Sequence, residues 1–194
     1  MQVMAGKSSS LLNHDELLEL IVERRDQVRQ FEEFLCRETT WLSCPASTRF
    51  HLAREGGLLE HSINVANVLL ALRDCLAPEI SRESCVIVGL YHDVGKLGTA
   101  GSPYYLPNPS EWHVKNRGQA YIVSENVVHM DIATRSLYLV ACHLTLSDHE
   151  AQAIRYHDGQ YIEENRSVAH REVKLTRLVQ YADNWSGGVL EAGQ

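Results

Sequence analysis

The chain has 194 residues, of which 44% are hydrophobic and 22% are charged. These fractions are close to the averages for soluble globular proteins, and they exclude a disordered or fibrous chain. The formal net charge of −7 argues against duplex nucleic acid as a partner, because binding to a phosphate backbone needs many lysine and arginine contacts. A bound cation could still attract a small phosphorylated molecule.

Neither a disulfide framework nor a membrane span is expected. The five cysteines are odd in number and form no Cys-x-x-Cys pair, which favours reduced, mostly buried thiols in an intracellular protein. No window of the sequence approaches the roughly 18 uninterrupted apolar residues of a membrane-spanning helix. We therefore expect a cytoplasmic protein that has no membrane partner.

Three segments follow each other along the chain. Residues 1–10 are small and polar, which predicts a flexible N-terminal tail. Apolar side chains at helical spacing in residues 11–42 predict an amphipathic helical segment packed on the core, capped at Asn13 or Asp15. Residues 43–190 are long enough for one main domain, which begins with a structured loop before its first helix.

The most apolar stretch of the chain, residues 85–91, leads directly into His92-Asp93. Periodicity alone allows a strand or a helix here, and we favour a helix because no hairpin signal interrupts the run. Proline and glycine residues between Gly98 and Glu111 then predict a long ordered loop. Further helical patterns occupy residues 134–142, 147–156 and 170–185.

Imidazole and carboxylate side chains occur at four positions that face the predicted core. His92 and Asp93 are adjacent, so they lie about 100° apart around a helix and can converge on one cation. His61 shares a helix face with Val65, and Asp183 follows the apolar stripe of the last helix. An unpaired buried carboxylate is costly, which favours a divalent metal. The alternative is that His92 and Asp93 only end a helix and bond to backbone groups.

The order His, His-Asp, Asp resembles the signature of the HD superfamily of metal-dependent phosphohydrolases. The sequence GGLLEHS from Gly56 to Ser62 resembles a common opening of that family, and HDVGK from His92 to Lys96 resembles its HDxGK centre. The resemblance covers residues 45–185, and it implies an all-α, single-domain helical bundle, with residues 43–190 as the HD domain. The ligands that it implies for a central metal are His61, His92, Asp93 and Asp183.

Some branches of the superfamily bind a second metal through two further histidines, and the best matches here are His129 and His157. The resemblance thus implies one or two ions per chain, which could be Mn, Mg, Co, Ni, Fe or Zn, because such ligands admit several divalent metals. His157-Asp158-Gly159 departs from the paired His-His-Glu of the cyclic-dinucleotide branch, which argues against that substrate. The sequence around residues 103–112 is similar to HD hydrolases of phage and bacterial genomes, whose substrates are mostly unassigned.

The resemblance implies hydrolysis of a phosphate ester, and we expect a small nucleotide-like phosphomonoester or phosphodiester attacked by a metal-activated water. Asp93 is the candidate to orient that water, and Lys96 is the candidate to neutralise charge on the phosphate oxygens. Further candidates to bind the substrate phosphate are Arg54, Lys115 and Arg117. A solvated surface role is the alternative for each of these four cations.

Two other functions fit the same residues. One is a non-catalytic regulator that binds a nucleotide in the same pocket, and the other is an RNA-processing nuclease, although the acidic net charge counts against the nuclease. We interpret His51 as a surface or capping residue, and an aromatic cluster that includes Trp112 as loop packing, with base stacking as the alternative. The sequence is compatible with an oligomer.

Overall fold

Eight α-helices form the framework of residues 11–193, which is the part of the chain that the computed structural model describes. The tail expected at residues 1–10 lies outside the described residues. The helices are α1 (His14–Glu19), α2 (Arg25–Glu38), α3 (Gly57–Leu76), α4 (Arg82–Tyr91), α5 (Glu111–Arg117), α6 (Ile132–Ala141), α7 (Asp148–Arg155) and α8 (Lys174–Trp185).

Short strands and tight helical turns connect this framework. Strand β1 (Gly98–Thr99) pairs antiparallel with β2 (Ser102–Pro103), and β3 (Tyr105–Pro107) pairs antiparallel with β4 (Tyr121–Val123). The long loop predicted after Gly98 is therefore partly regular. The 3₁₀ and π-helical turns are Val94–Leu97, Gly159–Tyr161, Glu163–Val168 and Ser186–Leu190.

The amphipathic segment of residues 11–42 forms two helices rather than one continuous helix. Asn13 caps α1, because its side chain accepts the Glu16 N–H at 3.0 Å. The chain then turns before α2, where the N–H groups of Val22 and Glu23 donate to the Glu83 carboxylate at 2.7 and 2.8 Å. These bonds to α4 satisfy backbone donors that a continuous helix would have used internally.

Helices α3 and α4 pack antiparallel against each other in the core. Helix α4 is apolar and buried almost throughout, as the helical interpretation of residues 85–91 requires. A Cβ atom on Gly89 would lie only 2.6 Å from Ala66 Cα, so glycine at this position permits the two helices to pack closely. Helix α8 packs on both α3 and α7, which brings the end of the chain beside α3.

The cysteine prediction is partly wrong. The five thiols are free, but Cys36, Cys75 and Cys142 are exposed, and only Cys44 and Cys85 are buried. Burial raises the pKa of each buried thiol to about 12, so these two side chains act as small apolar groups of the core.

Within residues 11–193, no helix is long and apolar enough to cross a membrane.

Candidate metal centre

Three helices deliver the four predicted metal ligands to one buried point. His61 lies in the second turn of α3, His92 and Asp93 follow the last residue of α4, and Asp183 lies near the end of α8. The His61 and His92 side chains are fully buried, and Asp93 is 4% exposed. The close packing of α3 on α4 leaves the two imidazole ring centroids 5.4 Å apart.

The turn that follows Asp93 is fixed by contacts with α6. The Gly95 N–H donates to Ser136 Oγ at 2.8 Å, and the Gly95 carbonyl accepts from the Arg135 guanidinium at 3.2 Å. A Cβ atom on Gly95 would lie 2.1 Å from the Ile132 carbonyl oxygen. Glycine in the HDVGK segment therefore permits the turn to touch α6, and this contact holds the orientation of the preceding residues.

The distances among the four ligand groups suit a single cation. His61 Nε2 lies 3.1 Å from Asp183 Oδ1 and 3.8 Å from Asp93 Oδ2, and His92 Nε2 lies 3.7 and 3.9 Å from Asp93 Oδ2 and Asp183 Oδ1. Ligand atoms about 2.1 Å from a metal are separated from each other by roughly 3.0–3.5 Å. The observed separations are within about 1 Å of that spacing.

The hydrogen bonds of the two imidazoles leave their Nε2 atoms for a metal. His92 Nδ1 lies 2.9 Å from the Gly89 carbonyl oxygen, and because a carbonyl only accepts, Nδ1 carries the proton. His61 Nδ1 contacts the Glu191 carboxylate at 3.0 Å. Both Nε2 atoms are buried without a hydrogen bond from the described residues. Metal-binding histidines use the same arrangement, so these residues fit a divalent ion.

The electrostatics of the centre call for positive charge. Burial lowers the pKa of His92 to about 4, which keeps this imidazole neutral. Burial also opposes ionisation of Asp93 and Asp183, but Lys96 and His61 respectively hold their pKa values below the ordinary range. Against burial, Asp183 raises the pKa of His61 to about 9. The carboxylates of Asp93 and Asp183 thus stabilise protonated neighbours such as His61, and a divalent cation bound there would displace those protons.

His157 joins the centre, whereas His129 does not. His157 Nε2 lies 3.4 Å from Asp93 Oδ1, the carboxylate oxygen that does not face His61, and its Nδ1 lies 2.9 Å from the Ile154 carbonyl oxygen. The side chain is 2% exposed. His129 is exposed on the segment before α6, and the structure does not bring it to the four ligand groups. The arrangement therefore offers one additional histidine, on the second oxygen of Asp93.

A cavity of about 300 Å³ adjoins the centre. Asp93, His157 and Asp183 contribute to its wall, together with two cations, Lys96 and Arg155. Lys96 Nζ lies 2.5 Å from Asp93 Oδ2. Asp131 and Asp158 also line the cavity, so the wall combines the ligand groups with two cations that can bind phosphate oxygens and with two further carboxylates.

The three other cations predicted to bind phosphate lie elsewhere. Arg54 is exposed and pairs with Glu60 at 2.5 Å. Lys115 lies on α5, 3.7 Å from Glu111, and Arg117 stacks over the Trp112 ring on the same helix. None of the three contributes to the wall of the cavity beside the centre.

Sequence reasoning missed three residues at this site. One is Arg155, and its position two residues before His157 is a signal that could identify it. His51 was interpreted as a surface or capping residue, but it is half-buried and its ring centroid lies 5.0 Å from that of His61. The third is Glu191, and no sequence pattern marks it, because its position depends on the π-helical turn after α8.

Fold and site together define a helical protein with a buried His-Asp centre that fits a divalent metal. A model of the HD domain family matches residues 58–187. This match spans more than half of the chain, and the chain belongs to the HD domain family, whose members are typically metal-dependent phosphohydrolases. The predicted family and fold class are thereby confirmed. No curated protein and no solved structure matches the chain significantly.

Proposed function

We propose that this protein hydrolyses a small phosphate ester, a nucleotide-like phosphomonoester or phosphodiester, with a divalent metal as its cofactor. The observation that carries the proposal is the convergence of two buried Nε2 atoms, on His61 and His92, toward the carboxylates of Asp93 and Asp183, with His92 Nε2 left without a hydrogen bond from the described residues. Burying that nitrogen without a partner is costly. A cation bound at this point removes that cost.

In this proposal His61, His92, Asp93 and Asp183 hold the ion. When bound, a divalent ion polarises a phosphoryl oxygen and lowers the pKa of water, which makes a nucleophile available at neutral pH. The second carboxylate oxygen of Asp93 faces His157 at 3.4 Å. Asp93 raises the pKa of His157 to about 10 against burial, so this pair offers a place for a second ion that displaces the His157 proton, and the metal content per chain tests that role.

Lys96 and Arg155 are proposed to bind the phosphoryl group of the substrate. Arg155 Nη1 lies 3.3 Å from Asn165 Oδ1 and 3.8 Å from Asp131 Oδ1. These contacts position the guanidinium, but they use few of its five N–H donors. The remaining donors can bind phosphate oxygens, and Lys96 on the same wall adds charge that stabilises the transition state.

A neighbouring cavity provides room for the rest of the substrate. Its volume is about 480 Å³, and it shares His157 and Asp183 with the first cavity. Tyr161 and Tyr181 contribute to its wall and are 88% and 59% exposed. Exposed aromatic rings beside a phosphate site favour a substrate with a flat group that can stack, such as a nucleobase.

The test combines metal analysis with a substrate panel. Protein purified without chelator should contain one or two divalent ions per chain, or bind them on addition. With Mn, Mg, Co, Ni, Fe or Zn supplied in turn, a panel of phosphomonoesters and phosphodiesters should release phosphate or alcohol. Asp93→Ala should lower kcat/KM by more than about 100-fold, since even partners that only orient metal ligands are worth roughly 10–100-fold.

Asp26→Ala provides the matched control, because Asp26 is a carboxylate on α2 whose side chain is 85% exposed. Circular dichroism and a thermal melt should show that both variants fold. Absence of turnover across the whole panel with every metal would contradict the enzymatic proposal. Tight binding of a nucleotide that stays intact would instead identify a non-catalytic regulator.

A further inference from the structure

We infer that Glu191 is a positioning residue for the metal centre: its carboxylate fixes the ring orientation and the tautomer of His61. This inference rests on the metal centre proposed above and adds to it a group that does not touch the ion. Glu191 lies four residues beyond the end of the family match at residue 187, so the family match assigns it no role.

The contact between Glu191 and His61 is buried on both sides. His61 Nδ1 lies 3.0 and 3.2 Å from the two carboxylate oxygens of Glu191, and both side chains are about 1% exposed. An ionised carboxylate only accepts hydrogen bonds, so the Nδ1 atom of His61 carries the proton. A histidine that binds a metal is neutral, and with its proton on Nδ1 the ring has its lone pair on Nε2, which is the atom that faces Asp93 and Asp183.

A second donor holds the Glu191 carboxylate in place. Asn64 Nδ2 donates to Glu191 Oε1 at 2.9 Å, and Asn64 lies on α3 three residues after His61. The carboxylate therefore bridges two side chains of the same helix face. These contacts fix the orientation of the Glu191 carboxylate against His61.

The π-helical turn at Ser186–Leu190 explains how Glu191 reaches this position. In a continuous α-helix, residues seven apart share a face, so residue 190 would lie above Asp183. A π-helical turn takes one more residue, and the Glu191 N–H donates to the Ser186 carbonyl at 3.0 Å across five positions. Glu191 therefore takes the inward position, and Leu190 is 41% exposed. The turn places two carboxylates on His61, one at each ring nitrogen.

His51, His61 and Glu191 could themselves be considered as a separate cation site, because their ligand atoms lie within 4.8 Å of one another. The hydrogen bonds argue for the positioning role. A cation there would have to displace the Nδ1 proton of His61 and compete with the Asn64 amide, whereas His51 Nε2 remains 3.9 Å from the Glu191 carboxylate. Carboxylate–histidine–metal arrangements use the geometry that is present.

The experiment measures metal affinity directly, with Co²⁺ as the probe and its visible absorption as the signal. Metal-free wild-type protein, Glu191→Ala and Glu191→Gln are titrated with Co²⁺. We expect Glu191→Ala to weaken the Kd by roughly 10–100-fold and to change the Co²⁺ spectrum. Glu191→Gln should weaken Co²⁺ binding less, because its amide oxygen can still accept a hydrogen bond from the Nδ1–H group of His61. The control is Val189→Ala, an exposed residue of the same π-helical turn, which should bind as the wild type does.

A purely structural role for Glu191 predicts a different result. The variants would then melt at lower temperature without metal but bind Co²⁺ with a Kd within twofold of the wild-type value and with the same spectrum, and this outcome would overturn the inference. If Glu191→Ala does not fold, the Kd of Glu191→Gln decides in the same way. Failure of the wild type to bind Co²⁺ or any other divalent ion would instead overturn the metal centre, and Glu191 with it.

Discussion

Among the described residues, the metal centre and a second cluster of largely buried charged side chains differ in how completely their polar atoms are paired. In the Arg24 cluster, formed by Arg24, Glu83 and Glu150, no side-chain nitrogen or oxygen is left buried without a hydrogen bond among the described residues. In the metal centre, His61 Nε2 and His92 Nε2 are both buried without a hydrogen bond from these residues. Burial of charge is common to the two clusters, but only one of them leaves ligand atoms facing each other.

The charged groups of the Arg24 cluster are paired by hydrogen bonds from the protein alone. Arg24 Nε donates to Glu83 Oε1 at 2.8 Å, and its two terminal nitrogens donate to the Glu150 carboxylate at 2.8 and 2.7 Å. Glu150 also accepts from the N–H and hydroxyl of Ser147. Burial opposes ionisation of Glu150, but these bonds lower its pKa to about 2. Such a cluster joins the turn before α2 to α4 and α7, and we assign it a structural role.

The first prediction separates the clusters by stability and has the largest expected effect. Arg24→Ala leaves Glu83 and Glu150 as buried carboxylates without a cation, and removal of one partner from a buried ion network costs about 3–5 kcal/mol. We expect a loss of stability in the lower part of this range, because the Arg24 side chain is 17% exposed to solvent. Urea unfolding measures the change, and the Co²⁺ affinity of the folded variant should match that of the wild type.

Arg29→Ala is the control for this prediction, because Arg29 forms only an exposed pair with Asp26, worth about 0–1 kcal/mol. The pH dependence supplies a further check. The folded pKa of Glu150 is lowered from 4.5 to about 2, so its stabilisation is complete above pH 4.5 and is lost as the pH falls through 2. The difference between wild type and Arg24→Ala should therefore shrink over that range. An undiminished difference at pH 2 would contradict the charge-based explanation.

The second prediction concerns removal of the metal. A ligand that binds only the folded state stabilises it by about 2.7 kcal/mol at 100 times its Kd. Chelator treatment should therefore lower the melting temperature by several degrees while the helical circular dichroism at 25 °C persists, since the apolar core does not involve the ion. Differential scanning calorimetry with and without Mn²⁺ measures this shift.

The contrast between the clusters requires that the metal-dependent shift vanish in His92→Ala and persist in Arg24→Ala. The shift is compared within each variant, so a change in basal stability does not enter. A shift of equal size in His92→Ala would show that the ion binds elsewhere. The same result would contradict the proposal that the Nε2 atoms of His61 and His92 bind the metal.

The sequence predicts the helical class and the positions of most helices well, because periodic apolar side chains and capping residues act locally. The HD motif similarly locates His61, His92, Asp93 and Asp183 as candidates, and the structure brings all four together. Their roles as ligands stay a prediction. The break between α1 and α2 could not be predicted, because it depends on Glu83, which is about 60 residues away along the chain.

The remaining site residues depend on tertiary geometry in a similar way. Glu191 faces inward only because a π-helical turn shifts the register after α8, and glycines such as Gly187 and Gly188 do not reveal that shift. The order of histidines in the chain predicts a site position for His129, but the segment before α6 leaves this residue exposed. Chain order and local pattern identify ligand types, whereas long-range packing decides which side chains meet.

The smallest expected effect tests the cavity wall next to the centre. Arg155 faces this cavity with its guanidinium positioned by Asn165 and Asp131. A charged hydrogen bond to a phosphate is worth about 1.5–3 kcal/mol, so Arg155→Ala should lower kcat/KM roughly 10-fold or more, chiefly through KM. Arg166→Ala, which removes an exposed arginine 3.3 Å from Glu163, is the matched control. An unchanged KM in Arg155→Ala would place the substrate phosphate on Lys96 alone, and it would leave the wall of the cavity without a role in substrate binding.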